Sequence, residues 1–234
     1  MEWIKVDPER PEPAVAKAAE TLRAGGVIIF PAERLYGLAA DATNQSAVIK
    51  VFALKDRKPD HPLPVIIGDE AEAEEWVIVS ESARRLMKKF WPGPLTLVLP
   101  LQKDEQREAG ASGSRTGREA PKIKRMIASA VLGGSDYLGL RVPGNRLGRA
   151  IAQRLGRPMT ATSANLSGAK EARSAEEAAS RLTREVDLVL DAGVLPGPPG
   201  STVVKVREPD LEIIRVGIID QDRIHLAWKE AFSR

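Results

Sequence analysis

The chain has 234 residues, 43% of them apolar and 29% charged, with 35 Lys and Arg against 32 Asp and Glu. This is ample for a core, excludes disorder of the whole chain, and fits one large domain or two small ones. The absence of cysteine excludes a disulfide framework, a zinc finger, an iron–sulfur cluster and a thiol nucleophile. No apolar run approaches the roughly 20 residues of a membrane span and the N-terminus lacks a charged-then-apolar leader, so the expectation is an unprocessed, soluble, cytoplasmic protein with no membrane partner.

In chain order, Val15, Ala18, Ala19 and Leu22 recur at helical spacing until Gly25 and Gly26 stop the turn. The apolar run Val27 to Phe30, closed by Pro31, reads as a buried strand. Further helices are signalled by Val48/Val51/Phe52, by Ala83/Leu86/Met87/Phe90, and by Ala175/Ala178/Ala179/Leu182 behind a Ser174 to Glu177 capping box. Strands are expected near Leu63 to Ile67, Thr96 to Leu99, Leu138 to Val142, Met159 to Thr162, Val186 to Leu190, Ser201 to Val206 and Leu211 to Arg215. Interleaved helices and strands, several of them apolar throughout, predict an α/β (α+β type) fold: a mixed parallel and antiparallel sheet largely covered by helices.

One stretch departs from this pattern. From Gln102 to Lys122 the only apolar side chains are alanines, among Gly, Ser, Arg and Glu. Between Lys103 and Arg125 lie seven bases and four acids, which is the whole net charge of +3. Such a stretch reads as a mobile loop at 102–122 inside a single domain of residues 1–234, either an inert solvated insertion or a basic contact for an anionic ligand or RNA phosphates.

The chemistry-bearing residues gather at strand ends. Pro31-Ala32-Glu33-Arg34-Leu35-Tyr36-Gly37-Leu38 is a proline-led turn, and Lys55-Asp56-Arg57-Lys58 places cations where a helix ends. Trp91-Pro92-Gly93-Pro94-Leu95-Thr96 opens a strand, and Arg141 stands within an apolar one, where an unpaired cation would be costly. The turn Thr162 to Gly168, with Ser163 and Asn165, and the strand start Ser201-Thr202 offer hydroxyls, an amide and backbone N–H groups suited to phosphate oxygens. Neither GxxxxGK[ST] nor GxGxxG is present, so this is a polyphosphate site of another kind.

Six ordered blocks carry a resemblance across roughly residues 12–220: Pro31 to Leu38, Lys55-x-Arg57 with Pro62-Leu63, Trp91 to Thr96, Leu140-Arg141-Val142-Pro143, Ser163 to Gly168, and Ser201 to Val204. In these the chain resembles the YrdC/Sua5 family of threonylcarbamoyl-AMP synthases. The resemblance implies a twisted mixed sheet flanked by helices around a basic cavity. It also implies synthesis of threonylcarbamoyl-adenylate and pyrophosphate from L-threonine, bicarbonate or CO2, and ATP. Partner proteins would then place the threonylcarbamoyl group on adenosine 37 of tRNA.

On that resemblance Lys55, Arg57 and Arg141 are the candidate catalytic residues, with Lys55 and Arg57 on the phosphates and Arg141 on the anionic intermediate. Ser163, Asn165, Ser201 and Thr96 are expected on the nucleotide, and Arg34, Tyr36 and Arg141 at the amino acid. Magnesium is expected on the leaving pyrophosphate, although no dedicated carboxylate pair is visible to hold it. The family usually carries Thr directly after the turn proline and often two residues later, where this chain has Ala32 and Arg34. Arg34 is expected to grip a carboxylate bidentately in their place. The alternative reading is a non-catalytic RNA-binding protein of the same fold. The related hydrogenase-maturation carbamoyltransferase carries cysteine-rich zinc fingers, which a chain without cysteine does not match.

Overall fold

A computed structural model describes residues 1–102 and 126–232. Except for Gln102, the expected loop at 102–122 lies outside the described residues.

The chain opens with strand β1 (Glu2–Lys5), helix α1 (Glu12–Arg23), strands β2 (Ile28–Pro31) and β3 (Tyr36–Ala39), and helix α2 (Gln45–Leu54). Next come β4 (Val65–Ile66), a 3-10 helix (Glu70–Glu75), α3 (Glu81–Phe90) and β5 (Leu95–Pro100). After the undescribed residues follow α4 (Ser129–Leu132), β6 (Tyr137–Arg141), α5 (Arg146–Leu155), β7 (Met159–Thr160) and β8 (Thr162–Ser163). The chain continues with α6 (Ala175–Ser180), β9 (Leu188–Asp191), β10 (Thr202–Arg207), β11 (Asp210–Arg215) and α7 (Gln221–Phe232).

The strands form two mixed sheets: five strands in the order β1-β9-β2-β3-β8 and six in the order β11-β10-β5-β6-β4-β7. In the first, β2 is parallel to β9 and antiparallel to β3, while in the second β5 is parallel to β10 and antiparallel to β6. The expected mixed architecture is present, divided between two sheets. The run Met159 to Thr162, read as one strand, is two, because Ala161 carries the chain from the edge of one sheet to the edge of the other. Ala161 N–H donates to Pro64 O at 2.8 Å, and Thr160 N–H to Ala40 O at 2.8 Å, so the crossing point is tied to both sides.

Side-chain alternation explains why the first sheet is buried on both faces. Ile29, Tyr36, Leu38 and Val189 join a large core shared with β5, β6 and β10. Their neighbours Ile28, Phe30, Ala39, Leu188 and Leu190 face a smaller core under α1 and α5. Helix α5 was not anticipated, since Gly148 and three arginines obscure it. Its signals are Asn145, whose side chain caps Gly148 N–H at 2.9 Å, and the spacing of Leu147, Ile151 and Leu155. The proline-led turn is also shorter than expected, because Tyr36 to Ala39 continues as a strand paired with β2, with Pro31 opposite Tyr36.

Thr202 joins β10 to the chain that leaves β11. Fully buried, its hydroxyl donates to Ile219 O at 2.6 Å and accepts from Gly217 N–H at 2.9 Å and Ile219 N–H at 3.1 Å. Thr202→Val keeps the shape and strands these partners, so a loss of about 2–3 kcal/mol in unfolding free energy is expected by denaturant titration. A change within error would show that the three partners find other bonds.

Candidate active site

A cavity of about 510 Å³ takes walls from both sheets: β2, β3 and β8 of the first, and β5, β6, β10 and β11 of the second. Gly37, the cross-strand partner of Phe30 in the first sheet, leaves room for that ring on the cavity wall, because a Cβ there would lie 2.8 Å from it. A second cavity of about 430 Å³ lies along the Ser163 to Glu171 turn, and Ser163 and Glu171 line both.

The end of α2 sends two cations in different directions. Asp56 adopts a left-handed conformation (φ 46°), Asp56 N–H donates to Ala53 O, and Arg57 N–H reaches back to Phe52 O at 3.0 Å, the hydrogen-bond pattern of a Schellman terminus. Lys55 therefore turns inward and Arg57 toward the main cavity. The Lys55 ammonium is buried and donates to the carbonyls of Ser163 and, at 2.7 Å, Asn165. Burial pushes it down to about 8, the neighbouring Arg57 adds to the push, and Glu171 opposes it. The Arg57 side chain lines the cavity, its guanidinium lies 5.8 Å from the Phe52 ring centre, and that guanidinium has no hydrogen bond or ion pair among the described residues. Burial lowers its pKa as well, with Asp60 opposing.

The remaining expected residues divide between cavity wall and support. Thr96 and Ser201 both line the main cavity, their hydroxyls 3.0 Å apart. Thr96 is placed by the preceding turn, where buried Trp91 donates its indole N–H to Leu95 O at 2.7 Å and Gly93 N–H donates to Val142 O at 2.9 Å. Ser163 is on the wall, whereas Lys55 is not a lining residue of either cavity. Asn165 lines only the second; its Nδ2 donates to Leu166 O and Ala169 O, and its buried Oδ1 lacks a donor among the described residues.

Three of the expected residues line the cavity and already have partners within the protein. Tyr36 shows the cavity its ring, because its hydroxyl donates to Gly193 O at 2.8 Å and accepts from Ala192 N–H at 2.9 Å; burial raises its pKa to about 12. Arg34 lines the cavity, yet the Nε and Nη2 edge expected to clamp a carboxylate donates instead to Gly197 O at 2.7 Å and Pro198 O at 3.2 Å. Arg141 is already paired: its Nη1 lies 2.9 Å from Glu33 Oε1, which also accepts from Gly144 N–H at 3.1 Å.

Sequence reasoning missed Glu33, Glu171 and Arg215 as cavity residues. Arg215 donates through Nη2 to Ser201 O at 2.9 Å and Ser201 Oγ at 3.1 Å, which adds a cation to the Thr96 and Ser201 pair. A signal existed, since Arg215 ends the expected strand Leu211 to Arg215, and in the structure Arg141 ends β6 in the same way. Among the described residues no group of three or more His, Asp or Glu side chains gathers to hold a metal, so the wall supplies cations and hydroxyls but no carboxylate cage for magnesium.

The two-sheet α/β fold sets arginines and hydroxyls, groups suited to anions, on one cavity wall, and sequence comparison gives the class. The chain matches the Sua5/YciO/YrdC family model, described as telomere recombination, over residues 20–117 and 118–217. It is 33% identical to the threonylcarbamoyl-AMP synthase of Bacillus subtilis over 91% of this chain and 56% of that protein. It is 30% identical to a putative threonylcarbamoyl-AMP synthase of Mycobacterium tuberculosis over 93% of this chain and 90% of that one. The crystal structure of Pyrococcus abyssi Sua5 complexed with L-threonine superposes with a TM-score of 0.83 at 29% identity, covering 97% of this chain and 61% of that one. The chain belongs to the Sua5/YciO/YrdC family. It spans little more than half the length of the Bacillus relative.

The buried ammonium gives a pH test. An anion bound near Lys55 favours its charged form and raises its pKa above the free value of about 8. If ATP is that anion, its affinity is expected to fall as pH rises from 8 into the range between the free and liganded values. Calorimetric titration with ATP at pH 7, 8 and 9, repeated with Lys55→Met, reads this slope; equal slopes in both proteins would remove Lys55 from the nucleotide's field.

Proposed function

We propose that this chain is one YrdC-like domain that makes L-threonylcarbamoyl-adenylate and pyrophosphate from L-threonine, bicarbonate or CO2, and ATP, for the modification of adenosine 37 in tRNA by partner proteins. The observation that carries the reading is Arg57, whose guanidinium lines a cavity that also holds the hydroxyls of Thr96, Ser163 and Ser201 and has no hydrogen-bond or ion-pair partner among the described residues, in a chain similar to named synthases along most of its length.

The reaction asks for alignment and charge compensation. The threonine amine adds to CO2 and loses a proton to give a carbamate; a carbamate oxygen then attacks the α-phosphorus of ATP, and the bond to the pyrophosphate oxygen breaks. Two anions must meet in line, so fixed cations and hydroxyls in a partly dry cavity lower the barrier by positioning and by offsetting charge. Arg57 is assigned to the phosphates, with Lys55 contributing field from behind the Ser163 turn. Thr96, Ser163 and Ser201 are assigned to nucleotide oxygens and Asn165 Oδ1 to a donor on the ligand, such as a ribose hydroxyl. Arg141, held by Glu33, faces the anionic intermediate. Magnesium would ride on the phosphates of the nucleotide, and no step is routed through a protein-held ion.

Pyrophosphate release with ATP, bicarbonate and each amino acid in turn tests the reading, with threonine expected to give the fastest release. Arg57→Ala is expected to lose about 1.5–3 kcal/mol of ATP affinity while remaining folded. No release with any amino acid, together with salt-sensitive RNA binding, would replace the synthase by the RNA-binding alternative.

A further inference from the structure

The segment between β9 and β10 divides the two cavities. Pro198 lines the second, while Pro199, Gly200 and Ser201 line the first. Its sequence, Gly193-Val-Leu-Pro-Gly-Pro-Pro-Gly200, contains three prolines, which have no N–H to offer a strand ladder. Its carbonyls must find donors elsewhere.

Two arginines provide them in the same reciprocal manner. Leu195 N–H donates to Arg173 O at 2.8 Å, and Arg173 Nε donates back to Leu195 O at 3.0 Å. Gly197 N–H donates to Arg34 O at 2.8 Å, and Arg34 Nε donates back to Gly197 O at 2.7 Å, with Nη2 extending to Pro198 O. The two clamps converge on Gly197. Its φ of +95° suits glycine, and a Cβ there would lie 3.1 Å from Cδ and Nε of Arg173. Three residues further on, Gly200 leads into Ser201, whose hydroxyl meets Thr96 and Arg215.

We propose that Arg34 is a positioning residue: it fixes the Gly197 and Pro198 carbonyls, and through them holds Pro199 to Ser201 at the spacing at which Ser201, Thr96 and Arg215 receive ligand. Arg34 thus replaces a hydroxyl of the family pattern by a support for the opposite wall, not by a second ligand contact. The kinetic consequence rests on the synthase reading; the structural one does not.

The test has two arms on the full chain. In the first, amide hydrogen exchange of the ligand-free protein compares Arg34→Ala and Arg34→Lys with the native chain. The alanine variant is expected to exchange the amides of Gly197, Gly200 and Ser201 at least about tenfold faster, with the amides of α1 and α5 unchanged, and lysine, which returns one donor, should lie between. In the second, ATP and amino-acid kinetics are measured: the alanine variant is expected to raise KM several-fold with kcat within about twofold, and lysine to restore part of the loss. Unchanged exchange across 195–201 overturns the proposal, and unchanged exchange with a raised amino-acid KM would make Arg34 a direct ligand contact instead. Should alanine fail to fold, the lysine variant decides by the same readouts. A native chain that releases no pyrophosphate defeats the synthase reading while the exchange arm still judges the wall.

Discussion

The site depends on one buried charge. Lys55 stands at the end of α2 with its ammonium under the turn after β8, and such a group is tolerated only where acceptors replace water. The carbonyls of Ser163 and Asn165 supply them, and the Lys55 carbonyl in turn accepts from Ser167 N–H at 3.1 Å. This exchange of bonds binds a helix of one part of the chain to a turn more than a hundred residues away. It also fixes the orientation of Ser163 on the cavity wall and leaves Arg57, two residues on, to face the opening.

Most of the cations around the cavity already have architectural duties. Arg34 and Arg173 hold the proline-rich segment, Arg215 holds Ser201, and Arg141 is paired with Glu33. Side chains locked in this way need little reorganisation when an anion arrives, which is the condition under which fixed dipoles and charges stabilise a transition state best. The same locking limits what each can do for a ligand. Arg34 retains only its end-on edge, and an anion reaching Arg141 would meet a guanidinium already beside a carboxylate.

The Ala32 and Arg34 departures from the family pattern take on a structural meaning in this arrangement. With Thr absent from both positions, the turn loses two hydroxyls beside the expected amino-acid pocket, while the guanidinium that replaces one of them reaches across to Gly197 and Pro198. Hydrogen bonds thereby join this turn to the segment that forms the facing wall. Tyr36 belongs to the same support, since its hydroxyl secures Ala192 and Gly193 at the start of the segment.

The sequence by itself determined the family, the mixed α/β class, many of the elements and several of the residues that line the cavity. Apolar runs such as Val27 to Phe30, the cap at Ser174 and the ordered blocks around Lys55, Thr96, Arg141, Ser163 and Ser201 are local signals, written in residues next to one another. Division into two sheets was not legible, because Met159 to Thr162 has the periodicity of one strand and only pairing with Ile66 on one side and Gly37 and Leu38 on the other separates it. Nor were the partners of the charged groups. That Arg141 meets Glu33, that Arg34 meets Gly197, and that Lys55 is buried under the Ser163 turn and lines neither cavity were decided by tertiary contacts across more than a hundred residues, where hydrogen-bond geometry and not sequence neighbourhood sets the outcome.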